Sequence, residues 1–173
     1  MIHDPLVFDA AALFNFGHRD TLQELLRHLT TEAMLVAPAA VLEELRPETR
    51  LDYEQFCRDH LTVGRAEAGP EDLALLRSLS AELGPGEIEA LLLARDTGGT
   101  AVIDDRKARQ AAGQMGVRVI GTLGLIARAI ERGWMTDPEA MQAVRQLRAN
   151  GFFLPRPDDD ERFDAYLGRF GRV

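Results

Sequence analysis

The sequence has almost none of the cysteine that covalent cross-links and thiolate metal sites require. Cys57 is the single cysteine in 173 residues, so neither a disulfide within the chain nor a zinc site built from cysteines can form. The sequence also lacks any run of roughly eighteen uncharged apolar residues, and residues 1–5 do not resemble a signal peptide. These absences predict a cytoplasmic protein that has no membrane partner.

Positive charge is also scarce. The chain has 20 Lys and Arg residues against 28 Asp and Glu residues, which gives a net charge of −8. Because affinity for phosphate usually comes from basic side chains, this balance by itself counts against a nucleic-acid partner. Bound divalent cations can neutralise part of an acidic site, so an acidic protein can still act on a polyanion. The positions of the carboxylates therefore decide which functions remain open.

Length and composition are those of one globular domain. Hydrophobic residues make up 46% of the chain and charged residues 28%, the ordinary balance of a globular protein. We therefore expect a single domain over residues 1–173, with its core at 5–135 and a helical C-terminal segment at 136–173.

Short apolar runs alternate with segments of helical period, which predicts βαβ units and a parallel sheet. The predicted strands are residues 6–8, 34–37, 61–63, 101–103 and 117–120. Capping residues, prolines and glycines place helices from Asp20, from Pro38 to Pro47, around Tyr53 and Phe56, from Leu73 to Leu83, from Glu87 to Gly98, from Arg106 to Gly116, from Thr122 to Gly133, from Asp137, and at the acidic run 158–161. The expected fold is a three-layer α/β/α domain with a central, mostly parallel sheet of about five strands.

Several carboxylates lie where a parallel sheet binds its ligands, beyond the C-terminal ends of the strands. Asp9 follows the first strand, and Asp105 follows the fourth strand with Asp104 beside it. Glu44 lies on the short helix after the second strand, and Glu87 starts a helix after a glycine-proline turn. Because converging carboxylates repel each other, such a cluster needs protons or cations to share it at neutral pH. Oxygen ligands without cysteine or a nearby histidine suit Mg²⁺ or Mn²⁺, which predicts metal-assisted hydrolysis of a phosphodiester.

Each carboxylate also has a purely structural explanation. Asp9 can simply end a strand, Glu44 can belong to a solvated helix face, and Glu87 can favour a helix start through the helix dipole. Asp105 can cap a helix, although Asp104 then remains unexplained. From the residues alone, the metal site and these structural roles both stay open.

Five segments together resemble the PIN-domain nucleases, the family that includes the VapC-type toxins of bacterial toxin–antitoxin pairs. In order, they are VFDAAAL at 7–13, APAAVLEEL at 37–45, LGPGEIEALLLA at 83–94, AVIDDRKAR at 101–109 and VIGTLGLI at 119–126. The Gly-Glu helix start and the Asp-Asp pair resemble a VapC-type subgroup, and the segment GFFL at 151–154 resembles the closing segment of that subgroup. The match extends from residue 5 to about residue 135.

This resemblance implies a PIN fold and an endoribonuclease that depends on Mg²⁺ or Mn²⁺ and leaves a 5′-phosphate. It also implies an RNA substrate, a cognate antitoxin and a homodimer. The resemblance implies catalytic and metal-binding roles for Asp9, Glu44, Glu87 and Asp105. It implies a supporting metal contact for Asp104. Glu43 takes the place of Glu44 if the helix register differs by one residue. The family commonly has a serine or threonine two residues after its first aspartate, and this sequence departs from it with Ala11.

Three further residues are predicted to bind the substrate. Arg106 and Arg109 follow the Asp-Asp pair and are candidates for contact with RNA phosphates or for pairing with a carboxylate. Thr122 suits the N-cap of a helix, and the family pattern places its loop near the site.

Two other enzyme or signalling classes are excluded, and one alternative remains. A haloacid-dehalogenase-like phosphatase needs a second aspartate at the position of Ala11, and a receiver domain needs its acidic pair after the first strand. The remaining alternative is a PIN-like binding module that is catalytically weak and acts through a partner, which Ala11 and the net acidity favour. The four retained carboxylates favour the enzyme, since an acid cluster without a use destabilises its own fold by repulsion.

Overall fold

The structure, a computed structural model, describes residues 4–17, 20–45, 51–79, 81–154 and 163–169. Within these residues the strands are β1 (Leu6–Phe8), β2 (Leu35–Pro38), β3 (Leu61–Gly64), β4 (Thr100–Val102) and β5 (Arg118–Ile120). They form one sheet in the order β3-β2-β1-β4-β5, and every neighbouring pair is parallel. The predicted sheet is confirmed.

Helices and one short 3₁₀ turn connect the strands. They are α1 (Ala10–Gly17), α2 (Asp20–Glu32), α3 (Ala39–Leu45), α4 (Leu51–His60), a 3₁₀ turn (Pro70–Asp72), α5 (Leu73–Leu79), α6 (Pro85–Thr97), α7 (Arg106–Met115), α8 (Thr122–Glu131), α9 (Asp137–Ala149) and α10 (Phe163–Gly168). None of the helices in the described part of the chain has the length and apolar character needed to cross a membrane.

Alternate side chains of the buried strands enter two separate hydrophobic clusters, one on each face of the sheet. Leu6 and Phe8 of β1 belong to the cluster that α1, α2, α8 and α9 cover, whereas Val7 belongs to the cluster under α6 and α7. This alternation follows from the two-residue period of a strand, and burial of both faces explains why β1 and β2 are apolar throughout. The predicted three-layer α/β/α architecture is confirmed.

The strand order produces a switch point between β1 and β4. The chain passes from β1 to β2 and then β3 on one side, and it returns to place β4 on the other side of β1. The amide of Asp9 donates to the carbonyl of Val102, with 3.2 Å between the two atoms, so the ends of β1 and β4 are joined. A crevice beyond the C-terminal ends of strands at such a point is the usual ligand site of an open α/β sheet.

Some predicted boundaries were wrong. Pro38 was predicted in the first turn of a helix, but it is the buried last residue of β2, and α3 begins at Ala39. Pro38 pairs with Gly64 of β3, while β1 pairs with β2 at residues 35 and 36, so the missing N–H of the proline interrupts no pairing with β1. The prediction that Pro47 ends this helix lies outside the described residues, as does the predicted helix start at 158–161.

Helix ends account for the other differences. The helix predicted to reach Leu83 ends at Leu79, and Leu83 lies buried in the bend that follows. The spacing of buried leucines therefore continues beyond the end of the helix. The N-cap of α9 is Thr136 rather than Asp137, because Thr136 and Glu139 form a capping box. The C-terminal glycines were predicted correctly: Gly98 and Gly116 have φ angles of 64° and 67°, which a side chain would disfavour.

Candidate active site

Asp9 lies at the end of β1 and is the N-cap of α1. Its carbonyl accepts a hydrogen bond from the amide of Leu13, and its Oδ1 accepts one from the amide of Ala12 at 2.6 Å. Asp9 is 1% exposed, and no group among the described residues donates to its Oδ2. A buried carboxylate oxygen without a donor is costly, because it has lost its water and gained no partner. The oxygen therefore needs a proton or a cation.

The protonation of Asp9 reflects this environment. Burial raises the pKa of Asp9 to about 7, although the hydrogen bond from Ala12 acts in the opposite direction. The charges of Asp104, Glu87 and Asp105 raise it further. Like charges produce such an effect only from nearby, so the fold brings these four predicted carboxylates together.

Asp104 is held by the two elements on either side of it. Its Oδ1 accepts from the amide of Thr122 at 2.8 Å, and its Oδ2 accepts from the Thr122 hydroxyl at 2.5 Å and from Asn15 Nδ2 at 3.2 Å. Burial raises the pKa of Asp104, and the hydrogen bonds from Thr122 and Asn15 partly offset the rise. Both polar groups of the fully buried Thr122 are thus directed at this carboxylate. The N-cap of α8 is Gly121, and the prediction of Thr122 as the cap was wrong.

Asp105 is exposed and caps α7. Its Oδ1 accepts from the amides of Lys107 at 2.7 Å and Ala108 at 2.9 Å. Asp105 therefore has the geometry of an N-cap residue, as one of the two explanations from sequence had it. Its neighbour Asp104 turns instead toward Asn15 of α1 and Thr122 of α8.

Glu87 and Glu44 meet at the start of α6. Glu87 is the third residue of this helix rather than its first, and its Oε2 accepts from the amide of Gly84 at 2.8 Å. Glu44 is exposed near the end of α3, and its Oε1 would lie 2.9 Å from a Cβ atom at Gly86. Glu44 therefore contacts the first turn of α6 beside Glu87, which favours it over Glu43 as the fourth carboxylate.

Helix N-termini explain how the fold tolerates this acidic cluster. Four helices, α1, α6, α7 and α8, begin at the site, and each directs amide groups at one of the carboxylates. The partial positive charge of a helix N-terminus stabilises an anion there. From sequence, only shared protons or cations were expected to relieve the repulsion. As a further result, no three Asp, Glu, His or Cys side chains in the described part of the chain are arranged to hold a single ion among them.

The donor set nevertheless fits a divalent ion at Asp9. Mg²⁺ usually retains several waters and needs only one or two carboxylates from the protein. Asp9 Oδ2 provides a buried oxygen to which none of the described residues donates, and the charge of Asp104 raises the pKa of this carboxyl group. All the available ligands are oxygens, as Mg²⁺ and Mn²⁺ prefer.

The two predicted arginines occupy different positions. Arg109 Nη1 donates to the carbonyl of Ile103 at 3.1 Å, lies against Gly121, and its charge lowers the pKa of Asp104. Arg106 is exposed in the first turn of α7. The structure therefore brings Arg109 to a carboxylate and leaves Arg106 at the surface.

Gly86→Ala is expected to weaken metal binding without unfolding the protein. The new methyl group would displace the Glu44 carboxylate and press on Val41 Cγ2, which would lie 3.2 Å away. Because the end of a glutamate side chain moves easily, we expect a stability change within about 1 kcal/mol but a several-fold loss of Mn²⁺ affinity in a titration. Gly113→Ala is the matched control, since a Cβ there meets nothing within 4 Å. Equal Mn²⁺ affinity in the two variants would show that Glu44 has no part in the site.

The parallel sheet and the acidic crevice at its switch point define a class of α/β protein with carboxylates at the usual ligand position of the fold. The family follows from the sequence: the model of a family described as a PIN domain (DUF3368) matches residues 5–159. The chain belongs to the PIN-domain family, whose members are generally nucleases that use divalent metal ions. The predicted family is thereby confirmed, whereas its VapC-type subgroup stays a prediction.

Two other comparisons add little. No curated protein matches the sequence. Among solved structures, the chain is similar to a PilT N-terminus domain protein from the archaeon Sulfolobus solfataricus, with 16% identity and a TM-score of 0.49, over 73% of this chain and 94% of that one.

Proposed function

We propose that this protein is a divalent-metal-dependent endoribonuclease that hydrolyses RNA phosphodiester bonds. The observation that carries the proposal is the buried Oδ2 of Asp9, which has no donor in the part of the chain that the structure describes and lies at the switch point among three other carboxylates. A buried carboxylate with a purely structural role would have both of its oxygens paired. An oxygen left open at the usual ligand position of the fold is suited to a cation.

The proposed site has a buried part and an exposed part. Asp9 and Asp104 would hold the ion, and Glu44, Glu87 and Asp105 would line its solvent side and bind through water. When bound, an Mg²⁺ or Mn²⁺ ion would lower the pKa of a coordinated water and stabilise the leaving oxygen of the phosphodiester.

The side chains around the carboxylates have separate proposed roles. Thr122 donates to Asp104, and Arg109 donates to the carbonyl of Ile103 and lowers the pKa of Asp104. Both would therefore support Asp104 and the end of β4 rather than contact RNA. Arg106 remains the proposed contact for an RNA phosphate, since it is exposed next to Asp105.

The test is cleavage of a labelled single-stranded RNA by purified protein after treatment with EDTA. We expect no cleavage without added metal, restored cleavage with Mn²⁺ or Mg²⁺ at millimolar concentration, and much less cleavage of DNA of the same sequence. Absence of metal-restored RNA cleavage at every pH between 6 and 8.5 would refute the proposal.

One observation favours a second candidate, a PIN-like binding module without efficient catalysis. Four of the five site carboxylates already have one oxygen hydrogen bonded to an amide at a helix N-terminus, and no three ligands in the described residues converge on one point. The two candidates differ in a simple respect: the module would bind RNA or a protein partner and leave the RNA intact, with or without Mn²⁺.

The finer expectations rest on the subgroup resemblance. They are that the protein is the toxin of a toxin–antitoxin pair, that it binds a cognate antitoxin, that it forms a homodimer and that it is cytoplasmic. All of these stay predictions.

A further inference from the structure

Asn15 connects two distant parts of the candidate site. It lies on α1, six residues after Asp9, and is half-buried. Its Nδ2 is 3.2 Å from Asp104 Oδ2 and 3.5 Å from Thr122 Oγ1, residues that lie 89 and 107 positions further along the chain. Asn15 therefore joins the helix after β1 to the loops after β4 and β5.

The three side chains form a closed ring of hydrogen bonds with fixed directions. An amide nitrogen has two hydrogens to donate and accepts none, so Asn15 donates to both Asp104 and Thr122. The hydroxyl of Thr122 accepts from Asn15 and donates to Asp104. Because each direction is fixed by the chemistry of its donor, the ring holds the Asp104 carboxylate in one orientation.

We propose that Asn15 is a positioning residue of the metal site, which holds Asp104 beside Asp9 so that both carboxylates can bind one divalent ion. This inference rests on the proposed function. In the PIN-domain pattern, a hydroxyl two residues after the first aspartate supports the metal site. In this chain, Asn15 would supply that support. The position of the hydroxyl is Ala11 here, which is exposed, whereas Asn15 one turn later is directed at the carboxylate.

Orientation of a ligand by its neighbours has a large effect on metal affinity. Loss of a hydrogen-bonding partner of a metal ligand typically weakens binding by about 10-fold to 100-fold. A purely structural hydrogen bond of the same kind would lower stability and leave metal affinity unchanged. Mn²⁺ affinity therefore distinguishes the two roles, and it needs no assay of activity.

The test measures free Mn²⁺ by electron paramagnetic resonance during titration of metal-free protein. We expect Asn15→Leu to weaken Mn²⁺ binding by about 10-fold or more. The matched control is Gln23→Leu, which removes the hydrogen bond from Gln23 Nε2 to the carbonyl of Gly17, a buried amide contact away from the carboxylates. We expect this control to lose comparable thermal stability and to keep the wild-type Mn²⁺ affinity. If Asn15→Leu does not fold, Asn15→Ser replaces it with the same expected result.

The outcomes separate this inference from the function on which it rests. Wild-type Mn²⁺ affinity in the Asn15 variant, or an equal loss in the Gln23 control, would overturn the positioning role alone. Wild-type protein that binds Mn²⁺ but leaves RNA intact would overturn the nuclease function and leave the positioning role supported. Wild-type protein that does not bind Mn²⁺ would overturn both.

Discussion

Asp9→Asn is expected to abolish metal-dependent RNA cleavage and, at the same time, to stabilise the metal-free protein at pH 8. The loss of activity should reach about 1,000-fold or more, since the substitution removes a ligand whose ion contributes several kcal/mol to the transition state. The gain in stability arises because the neutral amide removes a buried charge, and one oxygen of that charged group has no donor among the described residues. A gain in stability together with a loss of function is typical of a site that is strained in the absence of its ligand.

The raised pKa of Asp9 determines the sign of this change in folding stability and its largest value. The pKa of Asp9 is about 7 in the folded protein and 3.8 in its ordinary state. Because the folded value is raised, ionisation of Asp9 disfavours folding, and stability is lost as pH rises from about 4 to about 7. At 1.36 kcal/mol per unit, the limit is about 4 kcal/mol above pH 7.

Thermal unfolding of metal-free protein at pH 5 and pH 8 checks this prediction. Asp9→Asn should raise the melting temperature at pH 8 and change it little at pH 5, where wild-type Asp9 is already protonated. Asp137→Asn serves as the control, since Asp137 is exposed at the start of α9. An Asp9→Asn variant that is less stable than wild type at both pH values, or one that still cleaves RNA, would contradict this prediction.

Metal affinity is expected to fall steeply as the pH decreases below 7. A metal ion and a proton compete for the Asp9 carboxylate, so the apparent affinity should fall about tenfold per pH unit below the pKa of about 7. Between pH 7.5 and pH 5.5 this amounts to about 25-fold for a single proton. Isothermal titration with Mn²⁺ at these two pH values measures the change. A constant affinity over this range would mean that the ion does not bind at Asp9.

The sequence was sufficient to predict the elements that bring Asp9 and Asp104 together. Their strands are short and buried, which is typical of a parallel sheet, and an acidic residue follows the end of each strand within two positions. The strand order could not be predicted by period alone, since the same pattern is compatible with several orders. The adjacency of β1 and β4 is therefore a result of the structure, and it is what joins the two aspartates.

The orientation of individual oxygens could not be predicted. Sequence patterns allowed Glu87 and Asp105 to be either ligands or helix-terminal residues, and in the structure their carboxylates accept hydrogen bonds from helix N-termini. Arg109 was expected to contact an RNA phosphate or to pair with a carboxylate, and in the structure it donates to the carbonyl of Ile103 and its charge lowers the pKa of Asp104. Whether a carboxylate or a guanidinium group faces a ligand or a backbone group depends on the distances between segments of the chain. The hydrophobic period of one segment carries no information about those distances.

Asn15 was missed altogether, although the sequence contains one signal for it. It is the only polar side chain of α1, whose other residues are alanine, leucine, phenylalanine and glycine. A lone amide in an apolar helix that begins at a candidate metal ligand needs a polar partner, because burial without one is costly. The partner itself, Asp104, could be identified only from the fold.

Isothermal titration of Mn²⁺ into metal-free protein at pH 8 tests the central claim, that the buried oxygen of Asp9 anchors a divalent ion, most directly. Wild-type protein and Asp9→Asn are compared at the same concentration, after circular dichroism has shown that both are folded. We predict saturable binding to the wild type and none to Asp9→Asn over the same range. Binding of equal affinity to both proteins would contradict the claim.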